Sequence, residues 1–418
     1  MSRVRTLWGA MFALLMVIGL VAPAFAQDTA ADTATAGEDQ LLAPTFAAPS
    51  PAMALDDEAP KSWWEKIKMD FYFRFRQMYN YSDGRPGTHP ITDAKDFRMR
   101  YKLAIGISGA FDEFAFGIQL ASSGTNTSAN ETYGSGSAFG NGGLFIRQAW
   151  AKVGVGDGKI GDKMLEITLG RMPWPKEMYR SILTWDSDIA PTGVHVALHA
   201  LNDKESKTKL TVNAMTLLVI DDSSTLAADN VLFAGSVDFQ TGLGEGNSLR
   251  VGGGLWTVTH VQSVTSWQFD GGTFGGFAFK KSNWAAMEGY VHVNFGGIQI
   301  YYHGVYNFES GSRGYGAIFG VTFWTAKSGT EGAFGVDVIA YYSEIGAWPT
   351  GFSDADAGLN GTMSGWMGIE VNPTFYITKN VAFGMEMDFF LFNEDVNPGS
   401  AADNDGGFII TFDAIFKW

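Results

Sequence analysis

The chain has no cysteine. That excludes disulfide scaffolds, thiolate metal sites and a lipid anchor on a leading cysteine. Charge is sparse too. Asp, Glu, Lys and Arg make up only 17% of 418 residues, and acids outnumber bases to give a net charge of −15. So small a basic complement argues against nucleic acid as a partner, because phosphate binding needs basic patches. Long apolar runs are also missing. Beyond the N-terminus none reaches the roughly 18 residues a membrane helix needs, which argues against a helical membrane protein. The surplus lies elsewhere. Glycine accounts for 52 of 418 residues, against an average near 7%, and aromatics reach 14%. Both suit a chain of many strands and tight connections.

The N-terminus reads as an export signal. Arg3 and Arg5 form a positive start, Trp8–Val21 an apolar stretch, and Ala24-Phe25-Ala26 a small-x-small cleavage site before Gln27. A signal peptide over 1–26 follows. Residues 27–67 read as a periplasmic linker. Its Ala/Thr/Pro-rich part to about Pro60 is flexible, and Lys61–Lys68 has room for one or two helical turns, with Trp63 and Trp64 suited to a membrane interface or a barrel plug.

From residue 68 to 418 the period changes to two. Phe71, Phe73 and Phe75 alternate with Arg74 and Arg76, and Phe97, Met99, Tyr101 and Leu103 alternate with Arg98, Arg100 and Lys102. This is the strand period, not the helical one. The pattern predicts about sixteen strands, from 68–80 and 96–109 to 380–392 and 407–418, with fourteen and eighteen as the neighbouring counts. Short and long connections take turns, the one near 309–313 excepted. The fold class is therefore all-β, a transmembrane antiparallel up-and-down barrel with both termini in the periplasm. The last strand supports this: Phe408, Ile410, Phe412, Ala414, Phe416 and Trp418 share one face up to the terminal residue.

A barrel strand has a lipid face and a lumen face. A Lys or Arg facing lipid at the midplane costs about 2–4 kcal/mol, so the charged sets must face inward. Early strands supply a basic wall of Arg74, Arg76, Arg98, Arg100, Lys102, Arg147 and Arg171. Later strands supply an acidic one of Glu288, Asp337, Glu370, Glu386 and Asp388. Two readings stay open: a transverse field across the pore, or ion pairs that only fill space. The connection 172–191 (MPWPKEMYRSILTWDSDIAP) is too apolar for a free surface loop. It is expected to fold inward and narrow the pore, with Trp185, Asp186 and Asp188 at the constriction; packing against a neighbouring subunit is the rival.

These segments resemble a known family. The run 170–175 (GRMPWP) followed by 185–194 (WDSDIAPTGV), together with 97–103, 116–122 and 145–153, is similar to the putative porin family of Gram-negative bacteria. The resemblance is specific over about 96–196. It implies an outer-membrane porin and supplies no catalytic residue. Sixteen-stranded porins are often trimers, which by analogy gives a homotrimer as the assembly to test.

Other motifs carry less. The GxGxxG match at Gly156–Gly161 lies between strands, where a phosphate cradle would need a strand and a helix, so it reads as a glycine turn. Asp186 with Asp188, or Asp354 with Asp356, does not match the spacing of a calcium loop, and Asp403 with Asp405 reads as solvated loop. His195 and His199 share a face with no carboxylate spaced beside them. His292 and His303 face the lumen of adjacent strands as pore lining. His260 with Asp270 has only proximity to suggest an enzyme. The function expected is therefore passive diffusion of small hydrophilic solutes, with no enzyme activity and no cofactor. Substrate-selective transport, of sugars or anionic metabolites, is the alternative. A structural or adhesive barrel with a closed lumen is the reading from another class. The partners expected are outer-membrane lipid and lipopolysaccharide.

Overall fold

The computed structural model describes residues 62–82, 96–123, 131–132, 143–184, 190–220, 230–244, 246–258, 284–308, 314–324, 330–344, 347–348, 366–392 and 406–418. All belong to one compact unit, Leu42–Trp418; the other unit, Met1–Leu41, falls outside the described residues. The signal peptide, the flexible linker, the Trp185, Asp186 and Asp188 positions, the aspartates at 354, 356, 403 and 405, and His260 with Asp270 also lie outside them.

The alternating segments form β1 (Ile67–Ser82), β2 (Asp96–Ala110), β3 (Phe114–Ser123), β4 (Glu131–Thr132), β5 (Gly143–Val155), β6 (Leu165–Arg171), β7 (Thr192–Asp203), β8 (Thr208–Ile220) and β9 (Asn230–Gly244). The second half supplies β10 (Asn247–Val258), β11 (Trp284–Phe295), β12 (Ile298–Asn307), β13 (Tyr315–Phe323), β14 (Phe334–Ser343), β15 (Trp366–Thr378), β16 (Val381–Phe392) and β17 (Gly406–Lys417). Sixteen of these pair antiparallel in a closed ring, β17 meeting β1. Closure leaves no unpaired edge, which a chain in hydrocarbon cannot tolerate. Among the described residues, the remaining strand, β4, pairs with Arg100 and Tyr101 of β2. Two residues are too short to show a period, which is why β4 was invisible in the expected loop there.

The seam is fixed by chemistry at the chain end. Phe71 N–H donates to the Trp418 carbonyl at 2.9 Å, and Trp418 N–H donates back at 3.0 Å. The start of β1 and the end of β17 thus lie at the end of the barrel that carries the short connections. One of these, Gly296–Gly297 between β11 and β12, has φ of 55° and 95°, the left-handed pair that a two-residue hairpin requires. Before β1, Trp63–Lys66 forms a single 3-10 turn. Ser62 holds it, its N–H and hydroxyl both donating to Glu65 at 3.2 and 3.0 Å. Trp63 and Trp64 are exposed.

The outer face is a band of exposed apolar residues, including Ile105, Ile118, Leu169, Val251, Val291, Ile300 and Phe383. Aromatic contacts rim it at both ends. Phe71–Trp418 (5.3 Å) and Phe111–Phe114 (4.9 Å) lie at the short-connection end; Tyr81–Phe408 (5.4 Å) and Tyr306–Phe308 (5.6 Å) lie at the other. Phe71 to Tyr81 at about 3.3 Å per residue and about 40° of tilt gives roughly 25 Å, the height of a membrane-spanning barrel's apolar band.

Candidate functional site: the barrel interior

The inner face carries the charge, and strand register decides which charges meet. On β1 and β2, Arg74 lies opposite Lys102, Arg76 opposite Arg100 and Met78 opposite Arg98. This stacks five cations on two neighbouring strands. Across the seam, Arg76 lies opposite Asp413. Its Nε and Nη2 donate to the two Asp413 oxygens at 2.8 Å each, and Glu386 stands 3.5 Å from Nη2. Arg74 adds a contact to Asp413 at 3.8 Å. Lys102 is fully buried, its ammonium 5.9 Å above the Tyr72 ring. Arg147 donates to Gln119 at 3.0 Å, and Arg171 lies over the Phe145 ring at 5.7 Å. Arg98 is exposed, and Arg100 and Arg171 are half-buried.

The acids of the later strands are buried and held by donors. Asp337 accepts from the Tyr301 hydroxyl at 2.9 Å and from Thr322 at 2.8 Å. Asp388 accepts from Tyr341 at 2.8 Å, Glu370 from Asn372, and Glu288 stands 3.1 Å from His303 Nε2. Sequence reasoning missed Asp413, and it missed the group in which Arg250 donates to Asp238 at 2.7 Å while the Tyr290 hydroxyl also donates to Asp238. Alternation places all of these on the polar face, so the signal was present; their partners were not readable.

In one respect the two-face map fails. Met215, Leu217, Leu232, Ala234, Trp256 and Val258 point inward yet are apolar and buried. What covers them is the segment after β6. Met178, Ile182 and Leu183 join the same cluster, with Trp174 packed against it. Tyr179 stacks on Tyr290 at 4.3 Å and meets His292 and His303 edge-on at 4.7 and 4.8 Å. Ser181 Oγ lies 2.7 Å from His303 Nδ1. The backbone carbonyls of Lys176 and Glu177 accept from Arg250 at 3.3 Å and Asn213 at 3.1 Å. An inward residue covered by another part of the chain behaves as core, and alternation cannot show this because the cover is remote in sequence.

The expectation for His199 needs correction, since carboxylates do stand beside it, whereas His195 Nε2 lies 3.1 Å from Asn213 Oδ1. His199 Nε2 lies 4.0 Å from Glu166, which the Lys152 ammonium approaches to 3.0 Å and the Gly161 N–H also reaches. Glu177 joins from the segment after β6, 4.0 Å from Lys152. Burial alone would push the Glu177 carboxyl up. The surrounding positive charges of Lys152 foremost, then His195, Lys176 and Lys209, outweigh this and hold it well below the usual carboxylate range. A depressed carboxyl contributes stability at pH values above its unfolded value, and that contribution is lost as pH falls towards the folded value. Glu177 is thus expected to stabilise the barrel fully above about pH 5 and progressively less below about pH 4. Urea midpoints measured from neutral to acid pH should fall less steeply for Glu177→Gln than for the native chain; identical acid limbs would refute the assignment.

A closed sixteen-strand barrel with an apolar band, aromatic rims and a charged interior has the architecture of an outer-membrane barrel. The model of the family described as "Putative porin" matches residues 54–287, more than half of the chain. The chain belongs to that family. Among solved structures, Pseudomonas putida OprB at high pH is similar over 85% of this chain and 95% of its own, with a TM-score of 0.54 and 10% identity. A multiple mutant of the Rh. blastica porin covers 84% of this chain and 100% of its own at a TM-score of 0.44 and 11% identity. The first likeness bears on the fold alone. Comparison with curated proteins finds no match. Family and barrel together give an outer-membrane porin channel rather than an enzyme.

Proposed function

We propose that this porin passes small hydrophilic solutes and ions by passive diffusion, with both termini in the periplasm and the segment 172–191 as the constriction. The observation that carries the reading is the packing of residues 174–183 on the inner face of β8 and β10–β13, while Arg98, Arg100 and Arg171 keep access to solvent. On this reading the lumen is divided between a covered apolar side and a wet basic side. The ring order also sets β2, with Arg98 and Arg100, half-way round from β11, which bears Glu288. Charges on opposite sides of a confined, low-dielectric pore act over its whole width, even where one of them is covered. The acids of the later strands are buried, so the arginines that keep access to solvent should dominate and favour anions. A substrate-selective channel for anionic metabolites is the second reading, favoured by the same exposed arginines. Outer-membrane lipid, lipopolysaccharide and a homotrimeric assembly complete the proposal.

Planar-bilayer recording under a salt gradient tests it. The native protein should show ohmic steps with an anion-selective reversal potential, and steps in groups of three if it is a trimer. Replacing Arg98 and Arg100 together by Glu should move the reversal potential towards cations. A silent, correctly folded barrel would shift the weight to a closed structural role, and unchanged selectivity in the double variant would reduce the basic wall to space-filling.

A further inference from the structure

One group of side chains inside the barrel has its charge offset by Lys152 but its hydrogen-bonding capacity left unfilled. Glu166 on β6, His199 on β7 and Glu177 on the segment after β6 are all buried, and one ligand atom from each lies within 4.8 Å of the others. Glu166 is opposite Ala197, which makes His199 its diagonal neighbour on the same face. Glu177 is only 4% exposed, yet neither of its carboxylate oxygens has a hydrogen-bond partner. The same holds for His199 Nε2. A buried carboxylate without donors is costly, and here it points at a second carboxylate and an imidazole nitrogen.

The imidazole is oriented for the task. His199 Nδ1 lies 3.1 Å from Thr211 Oγ1. With Nδ1–H donating to that oxygen, the Nε2 lone pair faces the two carboxylates, the arrangement by which an outer partner fixes a metal-binding histidine. One nitrogen and two carboxylates suit a first-row transition ion better than calcium or magnesium, which take oxygen ligands. A tetrahedral ion with bonds of about 2.0–2.2 Å needs ligand atoms roughly 3.3 Å apart. His199 and Glu166 stand at 4.0 Å and all three ligand atoms lie within 4.8 Å of one another, so rotamer adjustments of up to about 1.5 Å close the set.

We propose that Glu166, Glu177 and His199 form a binding site for a divalent first-row transition ion, zinc or a zinc-like cation, in competition with the Lys152 ammonium. Lys152 approaches Glu166 to 3.0 Å and Glu177 to 4.0 Å and so supplies a cation from within the chain. An incoming ion displaces it and leaves at least one coordination position for water. Because Glu177 belongs to the segment packed on the inner wall, the ion ties that segment to β6 and β7. Metal binding is measured directly and does not depend on the channel reading.

The test uses untagged, refolded, full-length protein in detergent, with Co2+ as a spectroscopic probe and Zn2+ as competitor. The expected result is one Co2+ per chain with visible d–d absorption that Zn2+ abolishes and Mg2+ does not. Glu177→Gln and His199→Gln should each weaken binding by about tenfold or more, as loss of a ligand does at least as much harm as loss of an outer partner. Lys152→Met removes the competitor and should tighten binding. Heat-modifiable gel mobility shows that each variant has folded, and if both ligand variants fail to fold, Lys152→Met decides. No stoichiometric Co2+ binding, equal binding by the folded ligand variants, or a folded Lys152→Met chain that binds no more tightly would each overturn the site.

Discussion

Asp413→Ala should destabilise the barrel by about 3–5 kcal/mol, the usual result of stripping one partner from a buried ion pair. The reason lies in what stays behind. Arg76 is 2% exposed and donates twice to Asp413 at 2.8 Å. Glu386 at 3.5 Å from Nη2 is too distant to replace the two short bonds. The pair also spans the seam between the first and last strands, where closure depends on residues more than three hundred positions apart. Urea-induced loss of heat-modifiable mobility measures the effect, and it should appear as a lower midpoint and slower assembly. Replacing Arg76 and Asp413 together by Met and Leu should recover much of the loss, because a well-packed apolar pair avoids the desolvation cost that a lone charge bears. A single variant as stable as the native chain would show that water reaches Arg76.

Changing Ile182 and Leu183 together to Asp should raise single-channel conductance severalfold and leave the wall intact. Both side chains are almost fully buried, at 2% and 1% exposure, in the apolar cluster on the inner face. Two carboxylates there cannot be desolvated without partners, so the segment leaves the wall. The barrel survives because its backbone hydrogen bonds run strand to strand and owe nothing to this segment. Bilayer recording gives the conductance, and circular dichroism shows whether the sheet is retained. An unchanged conductance with the sheet retained would remove residues 172–184 as the constriction.

Much of this is legible in the sequence. Alternation in segments such as 71–76 and 97–103 marks strands and gives a count of about sixteen, with fourteen and eighteen as its neighbours; the closed ring has sixteen. The segment 172–191 stood out as apolar for a loop, although Trp185, Asp186 and Asp188 lie outside the described residues. Hidden from view were partners contributed by remote strands. Asp413 meets Arg76 only because the ring closes; Glu177 meets Glu166 and His199 only because one segment turns inward. The inward Met215, Leu217 and Trp256 looked like ordinary strand residues, since nothing local marks which apolar side chain faces lipid and which is covered from inside.

The sequence by itself determined the class of molecule: a period of two, no helix-length apolar run and an aromatic final strand admit a membrane barrel and little else. These are local properties, set by the pleat and by the solvent on each side of a strand. The tertiary structure alone decided how the interior is arranged: which charges pair, which acids receive donors, and which half of the inner wall is covered. Those depend on register around a closed ring and on contacts between strands far apart in the chain, where a shift of two residues would keep every face and change every partner.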